Sequence, residues 1–221
     1  MIKMKRNLFK IVSILGICLI LFSLVVIITK TPDPKPKAGS IDIIEKAKLN
    51  PNDFGGDFIL LDQDGNEFDS RSLRGKYQLI YFGFTNCPDI CPASIVEIKK
   101  TIDFLKSKNP EVEDLVQPIF ITVDPKRDTS MVLKDYFESM GINIIALTGT
   151  QKNISDVAKM YRVFYSKAAG SRDKDDYMVN HSSFFYLVGP DGKFIKHYVP
   201  NATGEQIAKD LEKIVSSQPN E

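Results

Sequence analysis

The sequence predicts an α/β domain with a sheet of mixed direction, tethered by one N-terminal transmembrane helix. Three observations support this: an apolar run at residues 11–28, strand and helix patterns that alternate afterwards, and a β-hairpin pattern near the end. Alternating strands and helices indicate parallel pairing, whereas a hairpin adds antiparallel strands. The expected sheet therefore contains both kinds of pairing.

The apolar run at residues 11–28 is long enough to cross a bilayer core, which takes about 17–25 helical residues. Basic residues precede it, so the positive-inside rule places residues 1–10 in the cytoplasm. The alternative is a cleaved signal peptide, whose apolar core is usually only about 7–15 residues. No convincing cleavage site follows, and residues 29–50 are expected to form a linker that starts with a proline- and lysine-rich stretch.

The charge distribution excludes nucleic acid as a partner. Residues 1–30 hold five of the 29 basic side chains and none of the 28 acidic ones, which leaves the remainder with 24 basic and 28 acidic, a net of −4. Nucleic-acid binding requires clustered positive charge. The part of the chain beyond the apolar run has no such excess.

The first half of the domain, expected over residues 51–217, begins with a hairpin signal at Asp64-Gly65. Residues 78–84 form a continuous apolar run, which is typical of a strand buried on both faces. Apolar residues then recur at helical spacing after Cys91. The next strand is predicted at residues 118–123.

The second half continues the alternation and ends with the hairpin. We predict, in order, a helix at 129–139, a strand at 143–147, a helix at 154–161, a polar loop at 168–176, a hairpin of strands 184–188 and 194–199, and a helix at 203–215. Residues 218–221 remain as a C-terminal tail. This order of elements is the layout of a thioredoxin-like fold with an added N-terminal β-hairpin.

Two cysteines stand where the buried strand gives way to the first long helix. Cys87 and Cys91 are separated by three residues, and the third cysteine, Cys18, lies inside the apolar run. Cys91 is expected at or near the helix N-cap, where the helix dipole lowers a thiol pKa. Disulfide oxidoreductases of thioredoxin type have two intervening residues, so the wider spacing favours a soft metal ion such as Cu(I). The plainer alternative is a stabilising disulfide.

A firm metal site needs a further ligand, and the sequence offers His181 and His197. Zinc could in principle use both histidines with the two cysteines. His197 lies beyond a hairpin turn from His181, which makes joint ligation less natural. The spacing alone does not choose between the two histidines.

Three blocks of sequence resemble the SCO/SenC copper proteins, which help to assemble the copper centre of cytochrome c oxidase. The blocks are residues 83–92 (GFTNCPDICP), residues 123–129 (VDPKRDT) and residues 179–192, which contain His181. The resemblance implies that Cys87, Cys91 and His181 bind Cu(I) or Cu(II), and that the cysteines can cycle between thiols and a disulfide. One departure is Asn180, where the family commonly has aspartate before the histidine.

Asp124 closes the strand predicted at residues 118–123. It either ends that strand, with Asp128 or Thr129 capping the next helix, or supports the metal site from outside the ligand set. Arg127 is expected on the surface. The loop at 168–176 either lets His181 swing towards the metal or is an ordinary solvated loop.

The expected function is that of a copper metallochaperone and not of an enzyme. Its partner would be the copper-receiving subunit of cytochrome c oxidase, and its location the bacterial cytoplasmic membrane, with the domain in the periplasm. The mitochondrial inner membrane is the alternative location. The alternative function is a thiol-disulfide reductase that keeps the recipient's cysteines reduced, which would need the cysteines but not His181. A peroxidase of the peroxiredoxin type ranks last.

Overall fold

The computed structural model describes residues 54–168 and 177–217. The strands in this part of the chain are β1 (Ile59–Leu61), β2 (Glu67–Asp69), β3 (Tyr77–Gly83), β4 (Val116–Thr122), β5 (Ile145–Leu147), β6 (Tyr165–Lys167), β7 (Val179–His181), β8 (Phe185–Val188) and β9 (Phe194–Tyr198). The helices are a 3-10 helix (Ser70–Leu73), α1 (Ile90–Lys108), α2 (Pro110–Glu113), α3 (Ser130–Met140), α4 (Gln151–Met160) and α5 (Gly204–Ser216).

The central sheet has the strand order β5-β4-β3-β8-β9. Strand β3 pairs in parallel with β4, and β4 pairs in parallel with β5. Strands β8 and β9 add antiparallel pairs at the other side of β3. All seven residues of β3 are buried, as a continuous apolar run predicts for a central strand. The mixed sheet is therefore confirmed.

Aromatic side chains on the two faces of β3 attach the helices to the sheet. On one face, Tyr81 packs against Phe120 of β4, which in turn packs against Phe137 of α3. On the other face, Phe82 packs against Tyr161 at the end of α4. Successive side chains of a strand point to opposite faces, so the alternation along β3 produces this layering.

Helix α5 packs against α1 at a point of close backbone approach. The backbone N–H of Gly204 donates to Glu97 Oε2 at 2.7 Å, and a Cβ at this position would stand 2.5 Å from the Glu97 carbonyl oxygen. Thr203 begins α5 with a capping box that it shares with Gln206. Thr129 is likewise the residue that caps α3.

The ribbon formed by β6 and β7 is absent from the prediction made from the sequence. Its antiparallel register pairs Tyr165 with His181 and Lys167 with Val179. Each strand has three residues, which is too short to show a period-two pattern. Residues 169–176, which make up nearly all of the predicted polar loop, lie outside the described residues.

The predicted transmembrane segment at 11–28, the basic N-terminus at 1–10, the linker at 29–50 and the tail at 218–221 also lie outside the described residues. Among residues 54–168 and 177–217, no helix is both long enough and apolar enough to cross a membrane.

Candidate metal centre

The two cysteines lie in the segment that joins β3 to α1, and both are buried. Cys91 is fully buried, and Cys87 is 8% exposed. Both thiols are free. The intervening residues 88–90 are exposed, so the pair sits beneath a short surface loop.

Helix α1 begins at Ile90, one residue before Cys91, and an N–H group of its first turn faces Cys87. The N-cap residue is Asp89, whose side chain makes no capping hydrogen bond. Instead, the backbone N–H of Cys91 donates to Cys87 Sγ at 3.4 Å, a long contact of the kind that sulfur accepts. The free N–H groups at the start of α1 therefore bear on the sulfur of Cys87, and not on that of Cys91 as the sequence predicts.

The expectation of a lowered thiol pKa at Cys91 is wrong. Burial raises the pKa of the Cys91 thiol to about 12, against the opposing effect of a hydrogen bond with the Phe84 backbone. Desolvation of a charged sulfur outweighs the helix dipole at this depth. A metal cation would supply the opposite charge that a buried thiolate needs.

His181 ends β7 and reaches the cysteine pair from the ribbon. Its Nε2 lies 3.3 Å from Cys91 Sγ, and its Nδ1 lies 3.1 Å from the carbonyl oxygen of Ser182. A carbonyl only accepts, so Nδ1 carries the proton and Nε2 keeps its lone pair. The ring packs edge-on against Tyr81 and Phe84, with centroid distances of 6.3 and 5.7 Å.

Burial also lowers the pKa of His181, against the raising effect of the Ser182 carbonyl. The imidazole is therefore neutral at physiological pH, which is the form that binds a metal. The ligand atoms of Cys87, Cys91 and His181 all lie within 4.8 Å of one another. Two sulfurs and one imidazole form a soft donor set that suits copper.

His197 does not join this group, and the four-ligand zinc arrangement is wrong. It lies on β9, is exposed, and packs against the ring of Phe184 at a centroid distance of 5.1 Å. The only group of metal-ligating side chains found among residues 54–168 and 177–217 is the one that contains His181. The structure thus brings His181, the histidine that the family resemblance implies, next to the two cysteines.

Asp124 contacts side chains next to the site, and its side-chain hydrogen bonds found among the described residues go to Tyr177 and Arg127 and not to a candidate ligand. It is 5% exposed; Oδ1 accepts a hydrogen bond from the Tyr177 hydroxyl at 2.6 Å, and Oδ2 accepts one from Arg127 Nε. The Arg127 guanidinium lies over the rings of Tyr177 and Phe84, at 3.8 and 5.8 Å from their centroids. Phe84 in turn packs against His181, so Asp124 reaches the site through two intermediates.

The expectation that Arg127 lies on the surface is wrong, because its side chain is only 14% exposed. It is enclosed by the aromatic rings and the carboxylate just described. Tyr177, which precedes β7, was not identified from the sequence at all. A single tyrosine beside a polar loop carries no pattern that would distinguish it.

Asp128 is the acidic residue that holds the cysteine loop. Its carboxylate accepts hydrogen bonds from the Thr85 backbone N–H at 3.0 Å, the Thr85 hydroxyl at 2.6 Å and the Thr122 hydroxyl at 2.6 Å. Thr85 stands two residues before Cys87, so these bonds tie the loop to the end of β4. From the sequence, Asp128 is expected only as a helix cap; its place in the segment that follows the carboxyl end of β4 is the signal that points to this edge of the sheet.

Gly83 allows the close approach of α1 to β3. A Cβ there would stand 2.9 Å from Tyr81 Cε1, 2.9 Å from Phe120 Cε2 and 3.1 Å from Cys91 Sγ. These distances are shorter than ordinary van der Waals contacts. Glycine at this position therefore makes room for the sulfur beside the strand.

The profile of the SCO1/SenC family matches residues 46–216 of this chain. SCO2-like protein RP587 of Rickettsia prowazekii is 40% identical over 206 residues, which cover 93% of this chain and 96% of the relative. Mitochondrial protein SCO1 of Saccharomyces cerevisiae is 44% identical over 142 residues, which cover 64% of this chain and 47% of the relative.

Solved structures agree with the sequence relatives. ScoI of Arabidopsis thaliana, with copper bound, has 36% identity and a TM-score of 0.68, with 75% of this chain and 99% of that chain covered. BsSco, described with a disulfide switch as a member of the Sco family of cytochrome c oxidase assembly proteins, has 30% identity and a TM-score of 0.57. That match covers 76% of this chain and 98% of BsSco.

Proposed function

This chain belongs to the SCO1/SenC family, and from that premise we propose that it is a copper metallochaperone whose ligands are Cys87, Cys91 and His181. The observation that carries the proposal is the convergence of the three ligand atoms within 4.8 Å of one another. The copper-bound Arabidopsis relative supports the identity of the metal. The cargo is Cu(I), Cu(II) or both.

The site is built to hold an ion and then release it by ligand exchange. Burial keeps water from the Cys91 sulfur, while residues 88–90 beside Cys87 are exposed. His181 is fixed on a short ribbon and is only partly buried. A recipient's sulfur or imidazole can therefore approach from the side of this loop and replace the chain's own ligands one at a time, with no change in the oxidation state of copper.

The recipient that we propose is the copper-receiving subunit of cytochrome c oxidase. BsSco is described as belonging to a family of cytochrome c oxidase assembly proteins, which supports this choice. The proposed anchor is the apolar run at residues 11–28, which would hold the domain on the periplasmic face of a bacterial cytoplasmic membrane. The basic residues before this run support that orientation.

Asp124 is proposed to support the site indirectly. Its bond to Tyr177 holds the start of β7, and its bond to Arg127 holds a guanidinium over Phe84. Both contacts bear on His181, one through the ribbon and the other through the ring that packs against it. Such contacts around a ligand typically change metal affinity about 10–100-fold when they are lost.

A redox role for the cysteine pair is the second candidate. The two sulfurs lie within 4.8 Å of each other, and BsSco is described with a disulfide switch. Oxidation would form a bond between the two Sγ atoms. The two electrons and two protons released would break a disulfide of the partner and convert it into two thiols. This exchange requires Cys87 and Cys91 and leaves His181 without a role.

The experiment that tests the proposal is the copper stoichiometry and affinity of the reduced domain from about residue 40 onward. We expect one copper per domain, with affinity reduced at least about tenfold in His181→Ala, because a three-ligand site loses a ligand. The matched control is His197→Ala, which removes the exposed histidine on β9 and should leave affinity unchanged.

Copper binding that is indifferent to His181, or weakened equally by both substitutions, would overturn the three-ligand site. If reduction of a disulfide-bonded partner peptide then persisted in His181→Ala and was lost in Cys87→Ser, the thiol-disulfide reductase would be the better description.

A further inference from the structure

Tyr81 holds a buried hydroxyl for which the described residues provide no hydrogen-bond partner. The side chain is fully buried in the middle of β3. Among the residues that the structure describes, none completes a hydrogen bond with its hydroxyl oxygen. Buried polar groups are nearly always paired, because an unmade hydrogen bond is costly away from water. An exception of this kind calls for a physical reason.

The hydroxyl is located beside the candidate ligands. Its polar neighbours are the Cys91 sulfur and the hydroxyls of Ser94 and Ser183. Tyr81 Cε1 and Cys91 Sγ both lie within 3.1 Å of the point where a Gly83 Cβ would stand. The Tyr81 ring also packs edge-on against His181. The Tyr81 side chain therefore lies on the buried side of the site, next to Cys91 and His181.

We propose that Tyr81 is a positioning residue whose hydroxyl donates a hydrogen bond to Cys91 Sγ when that sulfur acts as a copper ligand. The inference rests on the proposed copper site and adds a residue that acts through Cys91. The sulfur of a neutral thiol is a weak acceptor, whereas a metal-bound thiolate is a strong one. The bond is thus made when copper is loaded, and the hydroxyl is left without a partner when copper leaves.

A donor next to a buried sulfur favours its charged form. Hydrogen bonds to a cysteine ligand also change the electronic properties of a bound copper.

The test is Tyr81→Phe, which removes the hydroxyl and keeps the ring. In the metal-free, reduced domain, resistance to urea should be unchanged or increased, since the substitution removes an unpartnered polar group. In the copper-loaded domain, Cu(I) affinity in competition with a chelator should fall about tenfold, because a hydrogen bond to a charged group is lost. The sulfur-to-Cu(II) absorption band should move to longer wavelength, since a sulfur without a donor gives up its electron more easily.

The matched control is Tyr161→Phe, which removes another fully buried phenol hydroxyl. Tyr161 packs against Phe82, on the face of β3 opposite to Tyr81. This variant should keep wild-type copper affinity and absorption. If Tyr161→Phe changed copper affinity and absorption as much as Tyr81→Phe does, the change would be a general effect of core substitution. That result would overturn the proposal.

Two further outcomes would overturn it. One is a Tyr81→Phe protein whose copper affinity and absorption match those of the wild type. The other is a loss of stability in the metal-free variant with unchanged copper binding, which would make the hydroxyl purely structural. Failure of the copper site itself is distinguishable, because the wild-type domain would then bind no copper in a His181-dependent manner.

Discussion

The Nε2 atom of His181 lies 3.3 Å from Cys91 Sγ, although 90 residues separate the two in the chain. His181 ends the ribbon strand β7, and β8, which pairs with β3, begins four residues later. Cys91 lies in the helix that follows β3. The contact therefore depends on the ribbon, the cysteine loop and the end of β3, and each can be perturbed separately.

The Tyr177 hydroxyl fixes the ribbon to Asp124 through a 2.6 Å hydrogen bond. Tyr177→Phe should lower the free energy of unfolding by about 1.5–3 kcal/mol, because the lost bond goes to a charged acceptor. Copper affinity should fall about tenfold as His181 becomes less firmly placed. Urea denaturation and chelator competition measure the two effects.

Tyr165→Phe is the control on the same ribbon, since its exposed hydroxyl accepts a bond from Gln151 at 3.0 Å. It should change stability by no more than about 0.5 kcal/mol and leave copper affinity unaltered. If Tyr177→Phe behaved like this control, Asp124 would have no supporting role through the ribbon.

The Asp128 carboxylate ties the cysteine loop to β4 through Thr85 and Thr122. Asp128→Ala should reduce the free energy of unfolding by about 2–4 kcal/mol, because one buried donor and two partly buried donors lose their acceptor. Asp64→Ala, which removes an exposed ion pair with Lys134, should cost no more than about 1 kcal/mol. Equal losses of stability in the two variants, measured in urea, would contradict the anchoring role.

The stability of the domain should carry a pH dependence from Asp128. Burial raises its pKa above the ordinary value of 3.8, against the lowering effects of the Thr122 and Thr85 bonds. The folded state therefore binds the proton more tightly than the unfolded state, so this contribution to stability grows as pH falls towards 3.8 and shrinks as pH rises.

Asp128→Asn removes this titration while keeping an oxygen acceptor. The wild-type free energy of unfolding, minus that of Asp128→Asn, should increase as the pH is lowered from about 7 to about 4. Other carboxyl groups titrate in both proteins and cancel in the difference. A difference that is flat or decreases with falling pH would show that the folded-state pKa of Asp128 is not raised.

Gly83→Ala should disturb the site from beneath. The added Cβ would stand 2.9 Å from both Tyr81 Cε1 and Phe120 Cε2, in a core that leaves little room for movement. We expect a loss of about 1–3 kcal/mol in stability, as is typical of overpacking, with weaker copper binding. Gly149→Ala is the control, because its nearest neighbour is the end of the flexible Leu60 side chain at 3.3 Å. Comparable losses in both variants would contradict a special requirement at Gly83.

The elements with a clear local pattern could be predicted from the sequence. The apolar run of β3, the helical spacing after Cys91 and the Gly-Pro-Asp-Gly turn between β8 and β9 each depend on near neighbours in the chain. The cysteine pair could be located for the same reason, since both residues belong to one strand-to-helix junction. The transmembrane segment at residues 11–28 remains a prediction.

The family resemblance implies His181 as the third ligand, and the tertiary structure brings this histidine beside the two cysteines. Spacing could not choose between His181 and His197, because the choice depends on which strand end faces α1 across the fold. The raised pKa of Cys91, the enclosed Arg127 and the carboxylate of Asp128 on Thr85 follow from burial and from contacts between distant segments. A sequence records which side chains are present and their local order, whereas desolvation and proximity arise only when separate elements pack together.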